Sequence, residues 1–239
     1  MTTALGQVQR AMCSGCHLFD VCFPAGLTDL EVTLFDSIVE RYTLKPGQSL
    51  YDVGDPGDGI YVVRTGSVKA FTPSPGDGSS EVLTGIYLPS ECIGVDGIAL
   101  GANPSSVKAL ETTTVCGIPA SKLKDLTKMV PSVGVCVFEM LAQKICMDHE
   151  QLELRGKPTA AARMAALLLS FSARMKRLGF CEHEFNLSVS RYDIGNYLCL
   201  APETVSRILS DFKQKGLVQI ERRHVILKDV PTLRRLAGK

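Results

Sequence analysis

Between residues 27 and 125 the chain is cut into short pieces, and this punctuation limits the folds open to it. Turn chemistry recurs at Lys45-Pro46-Gly47, Gly54-Asp55-Pro56-Gly57-Asp58-Gly59, Arg64-Thr65-Gly66-Ser67 and Pro73-Ser74-Pro75-Gly76-Asp77-Gly78. Between the turns lie β-branched and aromatic runs such as Ile60-Tyr61-Val62-Val63 and Ser67-Val68-Lys69-Ala70-Phe71. Short strands with turns roughly every 8–12 residues predict a small barrel or roll. Thr28 with Glu31 predicts a capping box on one short leading helix.

The pattern changes after this stretch. Residues 131–156 read as one long helix, with Pro131 in its first turn, Gly156 to stop it and Pro158 beyond. Val137, Leu141, Ile145, Asp148 and Leu152 recur along it as a coiled-coil-like seam, with one carboxylate in the middle. A second apolar helix is expected from Thr159 to about Leu178. A helix ending near Leu198 and another starting at Pro202 then form a helix-turn-helix pattern. Leu217-Val218-Gln219-Ile220 and His224-Val225-Ile226-Leu227 flank Glu221-Arg222-Arg223, the pattern of a β-hairpin wing. The expected parts are residues 1–26, 27–130, 131–157 and 158–239.

Charge divides the chain in the same way. Residues 1–154 hold 10 Lys and Arg against 18 Asp and Glu, and residues 155–239 hold 16 against 7. An acidic front and a basic back suggest two modules, the second meeting a polyanion. Chance division of charge is the alternative, and the helical pattern in the basic half argues against it. No stretch approaches the roughly 20 apolar residues of a membrane span, and residues 1–20 lack a secretory pattern. A cytoplasmic protein is expected.

Three cysteines crowd the start: Cys13, Cys16 and Cys22, spaced Cys-x2-Cys-x5-Cys. In a reducing compartment such thiols are metal ligands, reactive groups or buried apolar fillers. Thiolates suit both zinc and iron–sulfur clusters, and the spacing alone does not separate the two. Nor does it choose a fourth ligand among Cys92, Cys116, Cys136, Cys146, Cys181 and Cys199. Cys136, Cys146 and Cys199 fall on expected helices or their turns, where core packing is the simpler role. His17 reads as a solvated loop residue. A segment as short as residues 1–26 needs a metal or a docking surface to order it.

On the second helix of the pair, Val205, Ile208, Leu209 and Phe212 share an inward face. Glu203, Ser206 and Arg207 lie on the opposite one. Such a helix places its first turns against base edges in the major groove. Arginine can donate twice to guanine, and glutamate can accept from the cytosine amino group. A solvent-facing Glu–Arg pair is the alternative. The turn, the wing and the basic balance favour DNA.

With these residues in view, the chain resembles the CRP/FNR superfamily of bacterial transcription regulators, and within it the FNR subgroup of anaerobic regulators. The resemblance spans nearly the whole chain. It is carried by the N-terminal cysteines, Ala109-Leu110-Glu111-Thr112-Thr113-Thr114-Val115-Cys116-Gly117-Ile118-Pro119, Asp193-Ile194-Gly195-Asn196-Tyr197-Leu198 and Glu203-Thr204-Val205-Ser206-Arg207. It implies an α+β chain: an N-terminal β-roll sensor domain of the cupin-like, cyclic-nucleotide-binding-like kind, a long dimerisation helix and a C-terminal winged helix-turn-helix. It implies an oxygen-labile [4Fe-4S] cluster on Cys13, Cys16, Cys22 and Cys116. It implies reading of TTGAT-type half-sites by Glu203, Ser206 and Arg207, control of genes of anaerobic metabolism, homodimerisation, and contact with RNA polymerase partly through a loop near residues 73–80. The cyclic-AMP branch has a glutamate and an Arg-Ser pair where this chain has Val95, Asn103 and Pro104, so cyclic nucleotide is not expected as a ligand. The family often has glycine at the helix-turn-helix turn, where this chain has Cys199.

Across a two-fold axis Asp148 meets its own mate, and two carboxylates in a dry seam repel. The family resemblance implies a dimer held near its dissociation point, tipped by the cluster. A solvated edge position is the other reading of Asp148. The rival functions are a zinc- or thiol-redox regulator on the same fold, a haem-based gas sensor and an iron–sulfur enzyme. The chain lacks a Cys-x3-Cys-x2-Cys set, a Gly-x4-Gly-Lys phosphate loop and a dinucleotide fingerprint, which favours a non-enzyme.

Overall fold

The computed structural model describes residues 9–10, 12–74 and 81–238. The expected turn from Pro75 onward, and with it most of the 73–80 loop, lies outside the described residues. The elements run β1 (Gln9–Arg10), α1 (Asp29–Asp36), β2 (Glu40–Leu44), β3 (Ser49–Tyr51), β4 (Gly59–Thr65), β5 (Val68–Pro73), β6 (Glu81–Tyr87), β7 (Cys92–Ile93), α2 (Val95–Leu100), β8 (Ser106–Ala109), β9 (Thr113–Pro119), α3 (Ala120–Met129) and α4 (Pro131–Arg155). They continue α5 (Ala160–Arg177), β10 (Glu184–Asn186), α6 (Arg191–Leu198), α7 (Pro202–Gln214), β11 (Val218–Glu221), β12 (His224–Leu227) and α8 (Val230–Leu236). Contacts sort the chain into two compact units, the first running to Cys146 and the second made of Met147 onward together with Glu81–Leu83.

In the first unit, one sheet has the order β1-β2-β9-β4-β7 and the other β3-β8-β5-β6. Leu44, Leu50, Val63, Val68, Val107 and Val115 fill the interior together with Tyr51 and Tyr87. This is the expected roll. Alternation along β4 sends Val63 into that interior and Ile60 and Val62 to a second core. There they meet Val32 and Phe35 of α1, Leu123 and Leu126 of α3, Val133, Cys136 and Met140 of α4, and Phe23 and Leu27 of the segment before α1. The Phe23 ring stacks on Phe35 at 4.8 Å between centroids. The expected capping box starts α1: the Glu31 carboxylate accepts from the Thr28 N–H at 2.8 Å and from its hydroxyl at 2.9 Å.

Two helices interrupt what the turn pattern reads as β. Helix α2 is bracketed by Gly94 and Gly101, both at positive φ. Helix α3 buries Leu123 and Leu126, three residues apart on one face.

The second unit packs α5, which buries Met164, Leu167, Leu168 and Phe171, with the helix-turn-helix and the wing. Thr159 caps α5 by accepting from the Ala162 N–H at 3.0 Å. Ser190 caps α6: its hydroxyl accepts from the Asp193 N–H at 3.0 Å and donates to the Asp193 carboxylate at 2.7 Å. Strands β10, β12 and β11 lie side by side, and β11 and β12 form the hairpin.

Candidate metal centre and nucleic-acid interface

The cysteine segment is ordered by its own apolar residues. Leu18 is 1% exposed and Phe23 8%, and both sit within the first unit. Backbone turns run from the Cys16 N–H to the Cys13 carbonyl at 2.9 Å and from the Cys22 N–H to the Phe19 carbonyl at 3.3 Å. The Cys13 N–H donates to both oxygens of Asp36, at 2.9 and 3.1 Å. Docking thus supplies the order that a free segment of this length lacks.

Cys13, Cys16, Cys22 and Cys116 line one apolar cavity, together with Leu18, Phe19, Phe35, Val62, Ile118 and Arg64. Among the described residues, no three His, Cys, Asp or Glu side chains converge on a single-ion point; the four thiols stand around the cavity wall. Burial raises the Cys13 thiol far above its usual range, aided by its hydrogen bond to Asp36. Burial pushes Cys22 up to about 12. Burial also raises Cys116, against the opposing charges of Arg41 and Arg64 and a hydrogen bond from Arg41. Buried thiols in this state await a cation to make them thiolates. The donor set fits an iron–sulfur cluster: four soft sulfurs around a dry, apolar hollow.

Strand register bears on the fourth ligand. Cys116 on β9 and Cys92 on β7 are both cross-strand partners of Val62 on β4. Both belong to the second core of the unit, but only Cys116 lines the cavity. Sequence spacing gave no sign of this difference. His17 is exposed.

On α4 the five seam residues divide. Val137 and Leu141 are partly buried against their own unit's core. Asp148 is half-buried, and Ile145 and Leu152 are 57% and 66% exposed. Val135 and Phe138 are exposed as well, Phe138 at 73%. With Ala142, Ile145, His149 and Leu152 they form a stripe spaced alternately by three and four residues. That frame was readable in the sequence, but Val137 and Leu141 offered a competing one.

In the helix-turn-helix, Val205, Leu209 and Phe212 are buried and Ile208 is half-buried. Glu203 and Arg207 are exposed and Ser206 half-buried, on the opposite face of α7. Cys199 ends α6 at φ 54°, ψ 51°. A side chain there costs about 1 kcal/mol relative to glycine. The Arg163 guanidinium donates to the Leu198 carbonyl at 2.8 Å, at the negative end of α6. Arg222 and Arg223 form the exposed tip of the wing, Arg222 at φ 57°.

A β-roll, a long helix with an exposed apolar stripe and a winged helix-turn-helix are the parts expected of a DNA-binding transcription regulator. Residues 162–236 match the Crp-like helix-turn-helix domain and residues 41–129 the cyclic nucleotide-binding domain. The chain is 38% identical over 238 residues to the transcriptional activator protein anr of Pseudomonas aeruginosa, covering 99% of this chain and 97% of that one. It is 34% identical over 227 residues to the fumarate and nitrate reduction regulatory protein of Escherichia coli K12, covering 95% and 90%. Its fold is similar to that of FixK2 from Bradyrhizobium japonicum, with a TM-score of 0.73 at 24% identity over 83% of this chain and 97% of that one. The chain belongs to the CRP/FNR superfamily of transcription regulators, alongside the Anr and fumarate and nitrate reduction regulators. Among the described residues no helix is long and apolar enough to cross a membrane.

Proposed function

We propose that the chain is an oxygen-responsive regulator of anaerobic genes, whose Cys13, Cys16, Cys22 and Cys116 hold a [4Fe-4S] cluster. The observation that carries this reading is the gathering of these four thiols, from positions up to 103 residues apart, around one apolar cavity. When bound, the cluster supplies a redox-active, oxygen-labile centre. The chain's part is to exclude water with Leu18, Phe19, Phe35 and Ile118 and to present thiols at the cavity wall.

The homodimer forms through the exposed stripe of α4. Phe138, Ile145 and Leu152 supply apolar area, and Asp148 opposes by charge repulsion, leaving the dimer easily tipped. Two helix-turn-helix units then hold two half-sites at once, so dimerisation turns weak single contacts into operator binding. On α7, Arg207 donates to guanine and Glu203 accepts from cytosine in a TTGAT-type half-site, with Ser206 between them. The protein works in the cytoplasm with RNA polymerase as partner.

Cyclic nucleotide is not the ligand. Asn103 stands where the cyclic-AMP branch has an arginine, and its amide donates to the Pro56 carbonyl at 3.2 Å. The Gly57 backbone packs so closely against Gly97 that neither position has room for a Cβ. Buried Tyr51 and Tyr87 occupy the roll interior.

Iron and acid-labile sulfide are measured on protein purified without oxygen, with sizing before and after air. About four of each per chain, in a dimer that falls to monomer in air, is expected. Zinc without sulfide, or a dimer indifferent to air, refutes the oxygen-sensing part.

A further inference from the structure

The strand that carries Cys116 has cations on both sides. Arg41 on β2 is the direct cross-strand partner of Cys116 on β9, so the two side chains share a face of the sheet. Arg64 follows Val62, the partner of Cys116 on β4, by two residues. It lines the cavity beside the four thiols. Both arginines are half-buried. The Nε of each is buried with no hydrogen-bond partner among the described residues.

A buried donor without an acceptor is unfavourable, and a guanidinium in apolar surroundings more so. An anionic acceptor on the same face relieves both. Four thiolates around an iron–sulfur core make a net negative body whose sulfurs accept hydrogen bonds, and these bonds are a main lever on its potential.

We propose that Arg41, backed by Arg64, is a positioning and charge-compensating residue for the Cys116 corner of the bound cluster. Its guanidinium donates to the thiolate sulfur and so sets how readily the cluster yields an electron to dioxygen. This rests on the iron–sulfur reading above. In the step concerned, a bound cluster would give up one electron and dioxygen would take it, becoming superoxide. A donor at the sulfur favours the more negative, reduced state. Removing it lowers the reduction potential and speeds the step.

The test compares wild type, Arg41→Met and Arg41→Lys, each loaded without oxygen. Methionine keeps an unbranched stem without donor or charge; lysine keeps the charge without the planar fork. Iron and sulfide content is measured first, then the midpoint potential, then the rate at which the visible absorption bleaches in air-equilibrated buffer. Arg41→Met is expected to load fully, to show a lowered potential and to bleach about tenfold faster, with Arg41→Lys between. A purely structural role would not move the potential. If Arg41→Met does not fold, Arg41→Lys decides by the same two readings. Wild-type potential and bleaching rate in a loaded variant overturn the assignment. A wild type that takes up no iron and sulfide overturns the cluster reading itself, a separate outcome.

Discussion

One substitution made at two glycines should shift stability in opposite directions. Gly195 lies buried in α6 and Gly134 in the first turns of α4. Helix propensity alone favours alanine over glycine by about 1 kcal/mol at both. At Gly134 a Cβ meets nothing within 4 Å, so Gly134→Ala should stabilise by about 0.5–1 kcal/mol. At Gly195 a Cβ stands 2.6 Å from the Leu200 carbonyl oxygen and 3.4 Å from the Pro202 nitrogen. Both are backbone, fixed by the turn between α6 and α7, and the Leu200 N–H also donates to the Gly195 carbonyl at 2.7 Å. Overpacking of this kind costs about 1–3 kcal/mol. Strain on that hydrogen bond adds about 0.5–1.5 kcal/mol. After the propensity gain, Gly195→Ala should lose about 0.5–3.5 kcal/mol. The assay is urea unfolding of the metal-free, reduced chain, followed by circular dichroism because the chain has no tryptophan. A Gly195→Ala variant as stable as wild type, or more so, refutes the reasoning about the turn.

Cys116→Ala should abolish iron retention, whereas Cys92→Ala, two strands over across β4 and outside the cavity, should keep it; anaerobic iron analysis of the two decides. Phe138→Ala removes an exposed ring from each protomer, worth about 1.5–3 kcal/mol per side chain, so dimer dissociation by sedimentation should rise by about two orders of magnitude or more. Arg207→Ala should cost about 1–3 kcal/mol of operator binding and relax preference at one base pair, read by competition with single-base operator variants; a uniform loss would mark it as a phosphate contact. Cys199→Gly should raise stability by about 1 kcal/mol, seen as a higher urea midpoint.

Elements with a local signature were legible in the sequence. The capping box at Thr28, the proline that opens α4 and the helix-turn-helix with its hairpin all rest on contacts within a few residues, and where the sequence predicts a helix or strand end there it falls within a residue or two of the one found. What needed the fold was lateral. Nothing in the spacing of nine cysteines separates Cys116 from Cys92. Only strand order places both beside Val62 and turns one of them to the cavity. Arg41 gave no signal either, because its meaning comes from register with a residue 75 positions away. The α4 stripe falls between these cases: two heptad frames overlap, and the core that claims Val137 and Leu141 decides which is left exposed.

The core that seats Phe23 and Leu27 is the same one that receives Val133, Cys136 and Met140 from α4, with Cys13 and Cys22 at its margin. Close-packed interiors do not absorb displacement; they pass it to neighbours. The cysteine segment and the opening turns of α4 are therefore packed as parts of one core. Reseating residues 13–23 would press directly on the opening turns of α4. The cysteine segment and the root of the helix are bricks in the same course.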